Sequence, residues 1–138
     1  MNTHRIRSIV GLLVTIATLL ACSNLSTAPT VSNVRMTTDD GGETPTSSYS
    51  PSQNFYVFAD VSGLQTGSQF LVKWYAVEAQ DVEPNSEIGS SEYTYEAGIS
   101  AIYFQLSTPD GGDWPLGTYR VELYLDGGKV GEQGFSVR

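Results

Sequence analysis

Carboxylates are the side chains of this sequence that could do chemistry. The chain has 15 Asp and Glu residues, all of which follow Cys22. Two carboxylates can act as acid and base in glycoside hydrolysis, a cluster can bind Ca²⁺, and an acidic surface can attract a basic partner. His4 is the only histidine and Cys22 the only cysteine. Beyond Cys22 the chain therefore has no Ser-His-Asp or Cys-His catalytic set and no His/Cys zinc site.

Most of these acids fall in three long predicted loops that contain no Lys or Arg: Thr38–Asn54, Glu78–Ser91 and Thr108–Leu116. Successive antiparallel strands reverse direction, so we expect the three loops at one end of the domain, opposite the N-terminal entry. We predict a partner surface there, carried by Asp39, Asp40, Glu43, Asp81, Glu83, Asp110 and Asp113. Two alternatives stay open: the acids only solvate mobile loops, or they bind calcium weakly, although residues 37–43 lack the acidic spacing of an EF-hand loop.

The elements that must position these loops are strands, because apolar residues recur at every second position. Tyr119, Val121, Leu123 and Leu125 alternate with polar neighbours, and Asp126-Gly127 then predicts a hairpin turn. We predict seven strands in a two-sheet sandwich. They are Val31–Thr37, Phe55–Val61, Phe70–Val77, Glu92–Glu96, Ser100–Ser107, Thr118–Leu125 and a last strand with Phe135 and Val137 facing inward.

The N-terminal segment has the order of a secretory signal peptide, a basic leader followed by an apolar run from Ile9 to Leu20. This run is too short to span a bilayer as a helix, which takes about 20 apolar residues. Leu19-Leu20-Ala21-Cys22 resembles the lipobox of bacterial lipoproteins. The resemblance implies that residues 1–21 are cleaved, that Cys22 carries a lipid, and that residues 22–30 form a flexible tether. It also implies an extracytoplasmic location in the cell envelope, on the outer membrane where the host has one.

The charge of the remaining chain excludes one class of partner. After Cys22 there are five basic residues and 15 acidic ones, which gives a net charge of −10. Nucleic acids are polyanions whose binding depends on neutralisation by Lys and Arg. We therefore expect no nucleic-acid partner.

Two motifs within residues 31–138 resemble immunoglobulin-like domains. Trp74 in Val72-Lys73-Trp74-Tyr75 is similar to the tryptophan of strand C, and Gly117-Thr118-Tyr119-Arg120-Val121 is similar to the tyrosine corner that opens strand F. Val121 stands where antibody domains have their second cysteine. The resemblance implies an all-β, seven-stranded antiparallel sandwich without a disulfide, and the wider pattern of lipobox and single domain is similar to small bacterial envelope proteins of unassigned function.

The expected function is non-catalytic: a membrane-anchored module that presents its domain to an envelope protein, with no cofactor and no metal. The alternative is a carbohydrate-binding module that uses aromatic rings on one sheet face. In the immunoglobulin-like arrangement the fourth predicted strand lies beside the fifth. The outward rings are then Tyr56, Phe58 and Tyr103, together with Tyr93 and Tyr95 or with neither.

Overall fold

The computed structural model describes residues 28–138, and these form eight strands without a helix. The strands pack as two sheets with the orders β1-β3-β6 and β2-β8-β7-β4-β5. The predicted all-β, two-sheet architecture is confirmed. Within this range no helix could cross a membrane. The strands are β1 (Thr30–Thr37), β2 (Ser48–Tyr49), β3 (Phe55–Ser62), β4 (Gln69–Ala79), β5 (Ser86–Thr94), β6 (Ala101–Leu106), β7 (Gly117–Leu125) and β8 (Gly128–Val137).

The core lies between the sheets and is built from the inward positions of the alternating strands. Trp74 is completely buried, and the rings of Phe55 and Phe135 meet edge to face at 4.7 Å between their centroids. Tyr119 is also buried, and its hydroxyl donates a hydrogen bond to the Pro115 carbonyl oxygen at 2.6 Å. This is the geometry of a tyrosine corner, in which the hydroxyl bonds the backbone a few residues upstream. The structural roles predicted for Trp74 and Tyr119 are confirmed.

The hairpin between β7 and β8 also forms as predicted. Asp126 and Gly127 have φ values of 47° and 86°, and the first pair of the ladder is Leu125 with Gly128. Two successive residues with positive φ define a type I′ turn, which suits the twist of a hairpin. The Asp126 carboxylate also accepts a hydrogen bond from the Gln69 amide at 2.8 Å, which links the turn to β4.

The strand count differs from the prediction because the first long loop contains β2. This strand has two residues and pairs in parallel with the end of β8. Tyr49 is buried, and its hydroxyl donates to the Thr37 carbonyl oxygen at 2.6 Å. Two residues are too few to produce a periodic pattern, so alternation could not reveal the strand.

The fourth predicted strand was placed too late and in the wrong sheet. It runs from Ser86 to Thr94, so most of the predicted loop Glu78–Ser91 is strand or tight turn. β5 pairs with β4 rather than with β6, because a short turn with positive φ at Asp81 and Asn85 joins β4 directly to β5. The sequence Ser86-Glu87-Ile88-Gly89-Ser90-Ser91-Glu92 lacks apolar alternation, since an edge strand with a bulge buries little.

Candidate binding surface at the loop end

Three segments, which we call the loop end, meet at one end of the sandwich: residues 38–54, 80–85 and 107–116. Trp114 joins two of them, since its amide donates to the Pro51 carbonyl oxygen at 2.8 Å and its indole N–H donates to that of Gln53 at 2.9 Å. The amide of Gln80 donates to the Leu116 carbonyl oxygen at 2.9 Å, which ties in the third segment. The strand directions thus bring these loops together, as the sequence predicts.

An apolar cavity of 350 Å³ opens at the loop end. The buried Trp114 and Tyr119 form part of its wall, and Val82 and Ile88 from the β4–β5 hairpin line it as well. Nothing in residues 28–138 fills this space. Its full lining is Ala76, Val82, Ile88, Leu106, Ser107, Pro109, Trp114, Pro115 and Tyr119.

Four of the predicted acids are sequence neighbours of cavity residues. Asp81 and Glu83 flank Val82, Asp110 follows Pro109, and Asp113 precedes Trp114. All four are exposed, and within the described part of the chain none of them forms an ion pair. Glu87 beside Ile88 differs, because Lys73 lies 3.7 Å from its carboxylate. The cavity mouth therefore combines apolar walls with uncompensated negative charge.

The other three predicted acids lie in the loop that follows β1. Asp39 supports that loop, since its carboxylate accepts hydrogen bonds from the amides of Gly41 at 3.0 Å and Glu43 at 3.3 Å. The Thr44 hydroxyl is the main cause of a lowered pKa for Asp39, followed by these backbone bonds. Asp40 and Glu43 are exposed. The loop folds back over β3, where Gly42 contacts the Phe58 ring, so these acids lie on a different face from the cavity.

The acids do not gather into a metal centre in the described residues. Nowhere in residues 28–138 do three Asp, Glu, His or Cys side chains come together in a group that could hold a metal ion. Calcium prefers six to eight oxygen ligands, and the two groups of acids described above stand apart. Calcium binding thus has no preformed site to support it in this range and stays an untested prediction.

The outer face of the three-stranded sheet carries a cluster that the sequence did not reveal. Phe58 points to this face but is 6% exposed, because Gly42 and Tyr103 cover it and the Arg35 guanidinium lies 5.5 Å from its ring centre. The Arg35 guanidinium donates a hydrogen bond to the Asp60 carboxylate at 3.2 Å, and the side-chain amide of Asn33 donates another to it at 2.9 Å. These two partners, Asn33 first, lower the pKa of Asp60.

The flat row of exposed rings that the carbohydrate-binding alternative requires does not form on this face. Tyr103 is 50% exposed, whereas Phe58 points outward as predicted but is covered. Tyr93 belongs to β5 of the other sheet. Tyr95, the first residue after β5, is buried, and its hydroxyl donates a hydrogen bond to the Ile99 carbonyl oxygen. Neither Tyr93 nor Tyr95 therefore lies on the outer face of the three-stranded sheet, which is one of the two outcomes that the sequence left open.

Cys22 and the leader 1–21 lie outside the described residues, and so does most of the predicted tether 22–30. The described chain enters the sandwich at the end opposite the loop end. Ala28 and Pro29 there share a surface depression with Leu64 and Gln65 from the β3–β4 connection and with Asp126 from the β7–β8 turn.

Comparison with known proteins supports the fold. No protein-family model matches the chain, and no curated protein matches it in sequence. Among solved structures it is similar to an immunoglobulin-like protein from Pseudomonas aeruginosa, with a TM-score of 0.59 and 14% identity over 83% of this chain and 99% of that one. The fold is therefore immunoglobulin-like.

Two further solved structures align less well. An alkylpurine DNA glycosylase from Pseudomonas fluorescens has a TM-score of 0.49 and 8% identity, over 80% of this chain and 30% of that one. A superoxide reductase from Ignicoccus hospitalis has a TM-score of 0.43 and 13% identity, over 80% of each chain.

Proposed function

We propose that this protein is a non-catalytic envelope lipoprotein, anchored by a lipid on Cys22, whose immunoglobulin-like domain binds another protein at the loop end. The observation that carries the proposal is the 350 Å³ apolar cavity that no described residue fills. Apolar pockets with a few convergent polar groups are the usual form of binding sites. Entry of the chain at the opposite end supports a distal position for this cavity above a membrane.

Charge indicates the kind of partner. The loop end contains seven acids and no Lys or Arg, so a basic partner gains attraction there and an acidic one is repelled. We infer a protein segment that inserts an apolar side chain into the cavity and places Lys or Arg near Asp81, Glu83, Asp110 and Asp113. Such attraction between exposed charges weakens as salt rises.

A carbohydrate-binding module is the weaker alternative. The three-stranded sheet offers a sugar one exposed ring, that of Tyr103, which stacks on Phe58 with 5.1 Å between the ring centroids. A flat platform of several rings would favour sugar stacking more strongly. A glycan array that gives binding abolished by Tyr103→Ala would favour this alternative over the protein-binding proposal.

Lipid anchoring is tested by the mature N-terminus. Intact mass of the protein from the native envelope is expected to show a chain that begins at Cys22 and carries a diacylglycerol, and this form should enter the detergent phase. Cys22→Ala should leave the leader attached, because the acceptor thiol is gone. A mature chain without lipid that begins elsewhere, for example after Ala28, would contradict the anchor.

Binding at the loop end is tested with residues 23–138, which contain every residue of the core. We expect Asp81→Asn, Glu83→Gln, Asp110→Asn and Asp113→Asn together to reduce binding to isolated envelopes by about tenfold or more, because neutralisation removes the attraction at the cavity mouth. The matched control removes four acids elsewhere: Glu92→Gln, Glu96→Gln, Asp126→Asn and Glu132→Gln.

Both variants should keep the parental melting temperature within a few degrees. Equal binding by the parent and the loop variant would mean that these acids only keep the surface soluble and do not contact a partner. Calcium is a separate arm of the same experiment: a rise in the parental melting temperature that the loop variant loses would reveal a cation site.

A further inference from the structure

One sheet edge of this sandwich is unprotected. Edge strands expose unpaired backbone N–H and C=O groups, and proteins usually guard them with charges, prolines, bulges or short length. The described residues contain four edge strands: β1 and β6 in one sheet, and β2 and β5 in the other. Three of these are guarded and β6 is not.

The three guarded edges use different means. β1 contains Arg35 and a bulge with positive φ at Asn33, and Gln133 donates a hydrogen bond to the Val34 carbonyl oxygen at 2.9 Å. β2 has only two residues. β5 has a bulge at its pairing with Trp74 and Tyr75, and it carries Glu87 and Glu92.

β6 reads Ala-Ile-Tyr-Phe-Gln-Leu, with no charge and no proline, and its pairing with β3 has no bulge. The Val61 amide donates to the Ser100 carbonyl oxygen at 2.9 Å, so every second residue from Ser100 turns its backbone toward β3. Ala101, Tyr103 and Gln105 therefore turn their N–H and C=O groups away from β3. No strand in residues 28–138 pairs with that side of β6.

We propose that β6 pairs with β6 of a second copy of this chain, antiparallel across a two-fold axis at Tyr103. This register sets Tyr103 opposite the second copy's Tyr103 and Ala101 opposite Gln105. Each of these pairs can exchange two backbone hydrogen bonds. The two three-stranded sheets become one continuous sheet of six strands.

Side chains favour a second copy over an unrelated strand. The ring of Tyr103 stacks on Phe58 with an interplanar angle of 16°, so the two-fold axis aligns four rings in one row, and aromatic cross-strand pairs stabilise sheets. Like charges never oppose each other within the β6 pair, because β6 has none. A foreign strand would find no charged side chain on β6 to select it.

Charge elsewhere predicts how this dimer depends on salt. Each copy has a net charge of −10 after Cys22, and β5 lies against β6 where Leu106 meets Gly89. The second copy brings an equal negative charge close to the first. Repulsion between exposed charges is screened by salt, so the dimer should tighten as ionic strength rises.

The test uses residues 23–138, which contain no cysteine, in sedimentation equilibrium at several salt concentrations. We expect a dimer whose dissociation constant rises about tenfold or more for Tyr103→Lys, since this change opposes two ammonium groups and removes the rings. Leu116→Lys is the matched control, because Leu116 is 49% exposed and Tyr103 50%, and it should leave the dimer unchanged.

Single cysteines then report the register. Tyr103→Cys should form a disulfide between copies under mild oxidation, since paired strands bring Cα atoms within the range that a disulfide spans. Leu116→Cys should form it only at the slow rate of random collision. A monomer at every concentration and salt, a dimer indifferent to Tyr103→Lys, or equal crosslinking from both cysteines would overturn the proposal. None of these outcomes bears on binding at the loop end.

Discussion

At the scale of single residues, Glu122 is the charged side chain most enclosed by its partners. It lies on the outer face of the five-stranded sheet with 12% of its side chain exposed. Arg120 donates to one carboxylate oxygen at 3.0 Å, and the Tyr124 hydroxyl donates to the other. Arg120 also lies over the Tyr75 ring at 4.6 Å. The Tyr124 hydrogen bond, followed by the positive charges of Arg120 and Lys129, lowers the pKa of Glu122.

A lowered pKa in the folded state makes this carboxylate a source of stability at neutral pH. We expect Glu122→Gln to cost about 1 kcal/mol near pH 7. The difference should shrink as pH falls below the ordinary glutamate pKa of 4.5, because protonation then removes the same charge from the parent. Urea denaturation at several pH values measures it. Glu132→Gln, whose side chain is 44% exposed, is the control, and a Glu122 effect that is equally large at low pH would contradict this account.

At the scale of elements, alternation located the strands that bury a full face and missed those that do not. The prediction for Phe70–Val77 succeeded because β4 lies between β5 and β7 and packs Phe70, Val72 and Trp74 into the core. β5 is an edge strand rich in Ser and Glu, and it left no period-two signal. Its true partner depends on the tight β4–β5 turn, whose positive φ values fall on Asp81 and Asn85 rather than on glycine.

Only part of the candidate site could be predicted from the sequence. Strand direction was enough to bring the three acidic loops to one end. The cavity could not be predicted from the sequence, because it depends on where Trp114 docks. Trp114 is held by hydrogen bonds to Pro51 and Gln53, about 60 residues earlier in the chain. The burial of Phe58 could not be predicted for a similar reason, because the loop after β1 folds back and places Gly42 against its ring.

At the scale of the whole molecule, charge and apolar surface are distributed unequally. The loop end is acidic and holds the apolar cavity, the three-stranded sheet has an uncharged edge at β6, and four of the five basic residues after Cys22 lie on the five-stranded sheet or directly after it: Lys73, Arg120, Lys129 and Arg138. This distribution gives the domain two separate surfaces. We propose that one binds a basic protein partner and the other a second copy.

We propose that the loop end contacts a partner while the chain is on its membrane. Photo-crosslinking in intact cells tests this proposal, with the crosslinking residue at Leu116 of the full chain and, as the control, at exposed Gln65 near the chain entry. We predict a discrete adduct with another protein from position 116, lost in the variant that neutralises Asp81, Glu83, Asp110 and Asp113, and none from position 65. No adduct from position 116, or the same adducts from both positions, would show that the loop end is not the partner surface.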